Sequence, residues 1–360
     1  MSPRVSVIVP LYNSGATVGE TLGSLRAQST ESWEAIVVND GSTDDGPAIC
    51  EALAARDRRI GVVHQRNRGL GAARNSGIEH ARGEFVHFLD ADDTMRPGAL
   101  ERLSALAEGS AHGAAACGWE RVGPAGEPLD WYEAPARGGF GLDELLAGNQ
   151  APVHALMMAR RTLAGERFDE SLPVVEDYDL WLRLAQRGVR WEISGAPLAV
   201  YRVRPESMSR ATRVMWSTTR GVLMRAFARA RASRVVVADT SAEREARTLS
   251  RLAFLHGTIL AVRDAAGAGA ILGEAPGDDW REPGFASRAL HGGLALGLGL
   301  PPSAWRGDRS ATLFHAARDW AGPALGAGAP GVFERLAALT VDPALVARAL
   351  AERIAPPHPA

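Results

Sequence analysis

The sequence contains no lysine, so all 40 of its basic residues are arginine. A chain without lysine cannot form a Schiff base with a carbonyl substrate, and it cannot use the lysine of a P-loop to bind phosphate. Its two cysteines, Cys50 and Cys117, are too few for a disulfide framework or a four-cysteine zinc site. We expect both to be reduced core residues.

The net charge is also small, and the sequence has no long apolar run. The formal net charge is -2 in 360 residues, which excludes a predominantly electrostatic nucleic-acid binder. No apolar run approaches the ~20 residues of a membrane-spanning helix. We expect no signal peptide at the N-terminus, because the apolar residues from Val5 follow no basic region and precede no cleavage site. We therefore expect a cytoplasmic protein, and peripheral attachment to the inner membrane face is left open.

The first hundred residues alternate short apolar runs with amphipathic segments. Strands are predicted at 5–9, 35–38, 60–64 and 85–89, and a helix at 71–81. This alternation predicts a parallel sheet with right-handed crossovers. Ligands of such sheets bind beyond the carboxyl ends of the strands. The residues that fall there are Tyr12, Asp40, Arg68 and Asp90.

The pattern changes twice further along the chain. Between about 110 and 205, short strands near Ala115 and Met157 mix with a helix and a later strand. After about residue 212 the chain becomes Ala/Arg-rich and helical in pattern. We predict an α/β domain over residues 1–211, in two halves that meet near residue 110, followed by a mostly helical region over 212–360.

The strongest chemical signal is the segment Asp90-Ala91-Asp92-Asp93, directly after the fourth predicted strand. Carboxylates two residues apart at a sheet edge offer the oxygen ligands that Mg²⁺ or Mn²⁺ prefers. A cation anchored by Asp92, with help from Asp90, would offset the charge of a diphosphate leaving group. The alternative is an acidic turn that only caps the next helix.

Two other strand ends suit a nucleotide. Asp40 can accept a hydrogen bond from a nucleobase N–H, and Tyr12 can stack on the base; a turn aspartate and a core tyrosine are the alternatives. In residues 66–75, small residues lead into a helix flanked by arginines, a pattern typical of a diphosphate neighbourhood. A dinucleotide fingerprint fits poorly, because Arg74 stands where its third glycine belongs.

The pair Glu176-Asp177 starts a predicted helix. Carboxylates are electrostatically favoured at a helix N-terminus, and this alone explains their position when the pair is considered by itself.

Together these segments resemble the inverting glycosyltransferases of family 2, which have the GT-A fold. The resemblance covers about residues 4–210. It rests on five segments in matching order and spacing: VSVIVPLYN (5–13), VVNDGSTD (37–44), NRGLGAARNSG (67–77), FLDADD (88–93) and EDYDLWLRL (176–184). The resemblance implies a Rossmann-like, mainly parallel sheet, with a donor half at about 1–110 and an acceptor half at about 111–211.

The resemblance also implies a chemistry. The expected donor is a nucleotide-diphosphate sugar, first of all a UDP-sugar, with Mn²⁺ or Mg²⁺ as cofactor. The acceptor is an unknown hydroxyl of a saccharide, lipid-linked glycan, natural product or protein. Asp177 is implied as the catalytic base, with Glu176 as the alternative. The implied donor-binding residues are Pro10, Tyr12, Asn13, Asp40, Arg68, Gly71, Arg74, Asn75, Asp90, Ala91, Asp92 and Arg204.

One position departs from the family pattern. Many relatives have a histidine where this chain has Arg204, after Tyr201-Arg202. An arginine can pair with a phosphate but cannot ligate a metal.

Two other functions stay open at this point. A nucleotidyltransferase usually has a basic loop after its first strand, and residues 11–15 contain no basic residue. A non-catalytic nucleotide-sugar-binding protein is the other alternative. The helical region is expected either to serve acceptor docking or self-association, or to extend the core.

Overall fold

The computed structural model describes residues 2–132, 139–203, 212–233, 238–261, 270–271 and 274. The chain divides into an N-terminal unit, residues 1–204 with 225–239, and a C-terminal unit, residues 205–224 with 240–360. Among the described helices, none combines the length and the apolarity needed to cross a membrane. The domain boundary near residue 211 stays a prediction.

The strands of the N-terminal unit form one mixed sheet. They are β1 (Val5–Leu11), β2 (Trp33–Asp40), β3 (Ile60–Gln65), β4 (Phe85–Phe88), β5 (Thr94–Met95), β6 (Ala114–Val122), β7 (Pro128–Tyr132), β8 (Leu156–Ala159) and β9 (Glu192–Arg202). Their order is β3-β2-β1-β4-β8-β6-β9-β5, with β7 paired to β6. The first four are parallel, as predicted, whereas β8 is antiparallel to β4 and to β6.

Helices follow the strands along the chain. They are α1 (Gly15–Arg26), α2 (Gly46–Ala54), α3 (Leu70–His80), α4 (Ala99–Gly109), α5 (Leu142–Ala147), α6 (Arg160–Leu163), α7 (Glu176–Gln186), α8 (Thr212–Ala232) and α9 (Ala242–Ala261). A short 3₁₀ helix covers Val153–Ala155. The predicted α/β architecture is therefore confirmed. The helical pattern after residue 212 is confirmed in α8 and α9, and most later residues lie outside the described ranges.

An aromatic cluster fixes α7 within the N-terminal unit. The buried ring of Trp181 lies 6.4 Å from Phe88, 6.2 Å from Phe168 and 6.1 Å from Trp191, measured between ring centroids. Aromatic pairs at such separations add stability beyond their buried area. The start of α7 is thereby held near the end of β4, where the acidic segment begins.

The C-terminal unit has a small cluster of its own. Trp216 of α8 is buried together with Ala253 of α9 and Ile271. The indole N–H of Trp216 donates to Glu274 at 2.9 Å, which satisfies its polar atom.

Glycine allows α3 to approach the sheet closely, and α3 carries Arg74. A Cβ atom at Gly77 would lie 2.3 Å from Cγ2 of Ile8 in β1. A side chain at this position would therefore push the helix away from the strand. Gly23, within α1, has nothing within 4 Å of an added Cβ atom and offers a matched comparison.

We expect Gly77→Ala to lower the free energy of unfolding by ~1–3 kcal/mol, because overpacking forces the helix and strand apart. Gly23→Ala should raise it by ~0.5–1 kcal/mol through helix propensity alone. Chemical denaturation of both variants measures the difference. A Gly77→Ala protein as stable as Gly23→Ala would contradict the described contact of α3 with β1.

Candidate active site

The acidic loop, Asp90-Ala91-Asp92-Asp93, follows β4 at the carboxyl edge of the parallel strands. Ala91 and Asp93 are buried, whereas Asp90 and Asp92 are partly exposed. The carbonyl of Ala91 accepts a hydrogen bond of 2.8 Å from the hydroxyl of Thr17, at the start of α1. The two carboxylates predicted to bind a cation are thus the accessible ones of the loop.

Arg74 joins this loop to α7. Its guanidinium donates to Asp90 at 2.7 Å and to Glu176 in a second ion pair, and only 2% of the side chain is exposed. Its carbon Cζ lies 5.5 Å from the ring centroid of Phe168. Although burial opposes the charge, the two carboxylates raise the pKa of Arg74, so the residue remains cationic. One buried cation therefore holds a carboxylate of the loop after β4 and a carboxylate at the start of α7.

Asp177 lies beside this ion pair at the start of α7. Burial and the adjacent carboxylate of Glu176 raise the pKa of Asp177 to about 7, against the opposing effect of Arg74. The helix is entered through Val175, whose φ of 56° is in the left-handed region that β-branched residues rarely adopt. Such strained backbone is frequent at functional sites. The carboxylate of Glu176 is paired with Arg74, whereas the raised pKa of Asp177 favours its protonated form more than in an ordinary aspartate.

A second buried ion pair lies behind the acidic loop. His154 Nδ1 is 3.0 Å from Asp93 Oδ2, and neither side chain is more than 1% exposed. Burial alone would lower the pKa of His154, but the charge of Asp93 raises it. The other oxygen of Asp93 accepts the backbone N–H of Arg202 at 2.7 Å. The guanidinium of Arg202 also donates to the carbonyl of Asp92, so β9 holds the loop from one side.

Potential metal-ligating atoms converge around this loop. Within the described part of the chain, ligand atoms of Asp90, Asp93 and His154 lie within 4.8 Å of one another. This group shares Asp90 with the predicted pair Asp90 and Asp92. Asp93 and His154 are engaged with each other, and the participation of Asp92 stays a prediction.

The loops after β1 and β2 are bonded to each other. The N–H of Asn13 donates to the hydroxyl of Ser42, and the side-chain oxygen of Asn13 accepts from the N–H of Thr43 at 2.8 Å. Asn13 has a φ of 49°, which is tolerated by asparagine. Beside it, Tyr12 is 52% exposed. The ring of Tyr12 is thus presented to solvent on a fixed loop.

Asp40 is buried and organises the entry to α3. One oxygen accepts from the side chain of Gln65 at 2.7 Å and from the N–H of Arg68 at 2.9 Å. The other accepts from the N–H of Gly69 at 2.8 Å. Three hydrogen bonds thus tie the carboxylate to the loop that carries Arg68.

The remaining residues predicted to bind the sugar donor differ in their exposure and contacts. Arg68 is exposed and forms an ion pair of 2.7 Å with Glu170. Asn75 is buried and exchanges hydrogen bonds with the backbone of Phe168. Gly71 packs against the same segment. Pro10 is buried inside β1. Arg204 lies outside the described residues.

Comparison with known proteins identifies the family. The profile of Glycosyl transferase family 2 matches residues 6–168. The putative glycosyltransferase EpsE of Bacillus subtilis is 33% identical over 218 residues, which cover 57% of this chain and 74% of EpsE. The chain belongs to glycosyltransferase family 2.

Other relatives of this family-2 member match over a smaller share of their own length. The putative glycosyltransferase EpsH of Bacillus subtilis is 48% identical over 102 residues, 28% of this chain and 30% of EpsH. The succinoglycan biosynthesis protein ExoO of Rhizobium meliloti is 32% identical over 225 residues, 59% of this chain and 64% of ExoO. The chain thus spans about a third of the length of the first curated relatives it matches, 30% in EpsH.

A solved structure confirms the GT-A fold. Residues 1–349 of TarS from S. aureus, in complex with UDP-GlcNAc, superimpose with a TM-score of 0.56 at 19% identity. The match covers 90% of this chain and 89% of that one. The fold is therefore shared even where few residues are identical.

Three residues of the site were not foreseen from the sequence. Thr17, His154 and the side chain of Arg202 each reach the acidic loop from a distant part of the chain. His154 stands in no motif and lies among small and apolar residues. Only the family pattern around Tyr201-Arg202 gave any signal, and it did not indicate a contact with the loop.

Proposed function

We propose that this family-2 member transfers a sugar from a nucleotide-diphosphate donor to a hydroxyl acceptor, with inversion at the anomeric carbon. The observation that carries the proposal is the guanidinium of Arg74, because it pairs with both Asp90 and Glu176. Carboxylates suited to metal binding and Asp177, suited to base catalysis, therefore share one site.

The donor nucleotide is proposed to bind at the loops after β1 and β2. The exposed ring of Tyr12 offers a stacking surface, which is worth ~1–3 kcal/mol per base. A carboxylate has about four acceptor positions, and Asp40 uses three within the protein. The fourth is proposed for a base N–H.

The diphosphate is proposed to lie near Arg68 and Arg204. Arg74 contacts carboxylates among the described residues, and a direct contact of Arg74 with the donor stays a prediction. A UDP-sugar is the donor to test first, and TarS, of the same fold, was solved with UDP-GlcNAc.

Asp177 is proposed as the general base. In an inverting transfer, the acceptor hydroxyl attacks the anomeric carbon from the face opposite the leaving diphosphate, and it becomes strongly nucleophilic only as its proton leaves. A base with a pKa near the working pH is the most effective, with a gain of ~10²–10⁴. Asp177 has such a pKa. Glu176 is less suited because its carboxylate is paired with Arg74.

A divalent cation, Mn²⁺ or Mg²⁺, is proposed at Asp92 and Asp90. The fit follows from charge and donor chemistry, since two carboxylates, Asp90 and Glu176, share the one cation of Arg74 and leave a net negative charge. The partly exposed oxygens of the loop are ligands that such ions prefer. When bound, the ion would supply charge that stabilises the leaving diphosphate.

The acceptor is proposed to be a hydroxyl in glycan, glycolipid or glycoconjugate synthesis. The relative ExoO, named for succinoglycan biosynthesis, supports a saccharide. Acceptor docking or self-association through residues 212–360 also remains a proposal, as does a cytoplasmic location at or near the membrane face.

We expect Asp177→Asn to lower turnover at least about a hundredfold, because the amide keeps the shape but cannot accept the proton. Wild-type turnover should fall as the pH drops below about 7, where Asp177 becomes protonated. Steady-state rates against pH, with donor affinity from calorimetry, measure both.

The control for this variant is Asp179→Asn in the same helix. Asp179 is buried and pairs with Arg183 at 2.8 Å, so its loss should lower the melting temperature and leave turnover within a few-fold. The folded-state pKa of Asp177 is raised from 3.8 to about 7, so stability is lost as the pH rises between these values and the full loss is present above about pH 7. Asp177→Asn should therefore melt no lower than wild type at pH 8. Turnover of Asp177→Asn within a few-fold of wild type would move the base to Glu176.

We expect excess EDTA to abolish transfer and Mn²⁺ to restore it. Asp92→Asn should reduce turnover by about a hundredfold, on the scale of the several kcal/mol that a metal supplies. Glu108→Gln, at an exposed ion pair with Arg4, is the control and should behave as wild type. Full activity in excess EDTA would exclude the metal.

A further inference from the structure

The buried pair of Asp93 and His154 has no role in the transfer chemistry proposed above. His154 lies in the 3₁₀ helix before β8, and its ring stacks on Tyr201 of β9 with centroids 5.7 Å apart. Its Nδ1 lies 3.0 Å from Asp93 Oδ2, close enough for an ion pair, but neither ring nitrogen forms a hydrogen bond among the described residues. The polar contribution of His154 is thus directed at one residue of the acidic loop.

A buried ion pair is weak evidence for stability. Desolvation of the two charges can exceed their attraction, and well-packed apolar residues often replace such a pair at no cost. The pair does, however, fix geometry. Asp93 is held on one oxygen by His154 and on the other by the N–H of Arg202. The residue next to Asp92 is therefore pinned between two separate parts of the chain.

The same atoms could in principle ligate a cation, since Asp90, Asp93 and His154 lie within 4.8 Å of one another. The geometry instead favours a role for Asp93 and His154 in holding the loop. Oδ1 of Asp93 accepts the N–H of Arg202, and Oδ2 is ion-paired with His154 at 3.0 Å, although it forms no hydrogen bond among the described residues. Both side chains are inaccessible, whereas Asp90 and Asp92 are partly exposed on the same loop.

We propose that His154 is a positioning residue for the metal site: by holding Asp93, it keeps Asp90 and Asp92 in the arrangement that binds the divalent cation. The inference rests on the proposed function, because it presupposes a cation at the acidic loop. Groups that orient metal ligands typically contribute 10- to 100-fold to metal affinity.

His87 provides a matched control. It is a fully buried histidine in β4, and its Nδ1 is bonded to the carbonyl of Leu156 at 2.9 Å. Burial, together with the nearby charge of His154, lowers its pKa to about 3. Its described hydrogen bond does not involve the acidic loop. Replacing His87 should therefore disturb packing to a similar degree without releasing Asp93.

The test is a Mn²⁺ titration of the full chain followed by electron paramagnetic resonance, with melting temperatures measured alongside. His154→Leu should weaken Mn²⁺ binding by about 10- to 100-fold. The milder His154→Gln should weaken it by a smaller factor. His87→Leu should lower the melting temperature while keeping the Mn²⁺ affinity within about twofold. Asp92→Asn should remove binding.

Three results would overturn the proposal. Unchanged Mn²⁺ affinity in both His154 variants would reduce the residue to a structural role. Abolished binding in His154→Gln, with binding retained in Asp92→Asn, would make His154 a ligand. Absence of Mn²⁺ binding in the wild-type protein would instead reject the metal in the proposed function, and the inference with it.

Discussion

Arg74 carries a positive charge with 2% of its surface exposed, and a buried charge is tolerated only when acidic partners compensate it. Its partners come from different parts of the chain: Asp90 follows β4, and Glu176 begins α7. Removing one partner from such a group typically costs 3–5 kcal/mol. This constraint fixes the distance between the acidic loop and α7, and the rest of the site is arranged around it.

The surrounding charges follow from this constraint. Glu176 is paired with Arg74, and burial together with the neighbouring carboxylate of Glu176 raises the pKa of Asp177. On the other side of the loop, Asp93 is compensated by His154. The carboxylates that remain partly exposed, Asp90 and Asp92, are those with the chemistry for a cation. Asp90 is itself paired with Arg74, so the ion pair that holds the loop also fixes a carboxylate proposed for the cation.

The sequence predicted the parallel strands and the loops after them because apolar periodicity is local and the topology of parallel sheets brings their carboxyl ends together. The sequence pattern placed Arg74 beside a diphosphate and did not predict its carboxylate partners. It also did not predict the pairing of His154 with Asp93. Both contacts join residues far apart in the chain, and no local spacing encodes them. The three internal hydrogen bonds of Asp40 could not be predicted from the sequence either, since they depend on where Gln65 and Gly69 lie in the fold.

The most direct test of this account is a double-mutant cycle between α3 and α7. The free energy of unfolding would be measured by chemical denaturation for wild type, Arg74→Met, Glu176→Gln and the double variant. If the charges of Arg74 and Glu176 compensate each other, the coupling energy should lie toward the upper part of the ~0.5–3 kcal/mol range of interacting residues. Additivity within ~0.3–0.5 kcal/mol would show that the two residues do not interact and would contradict the account.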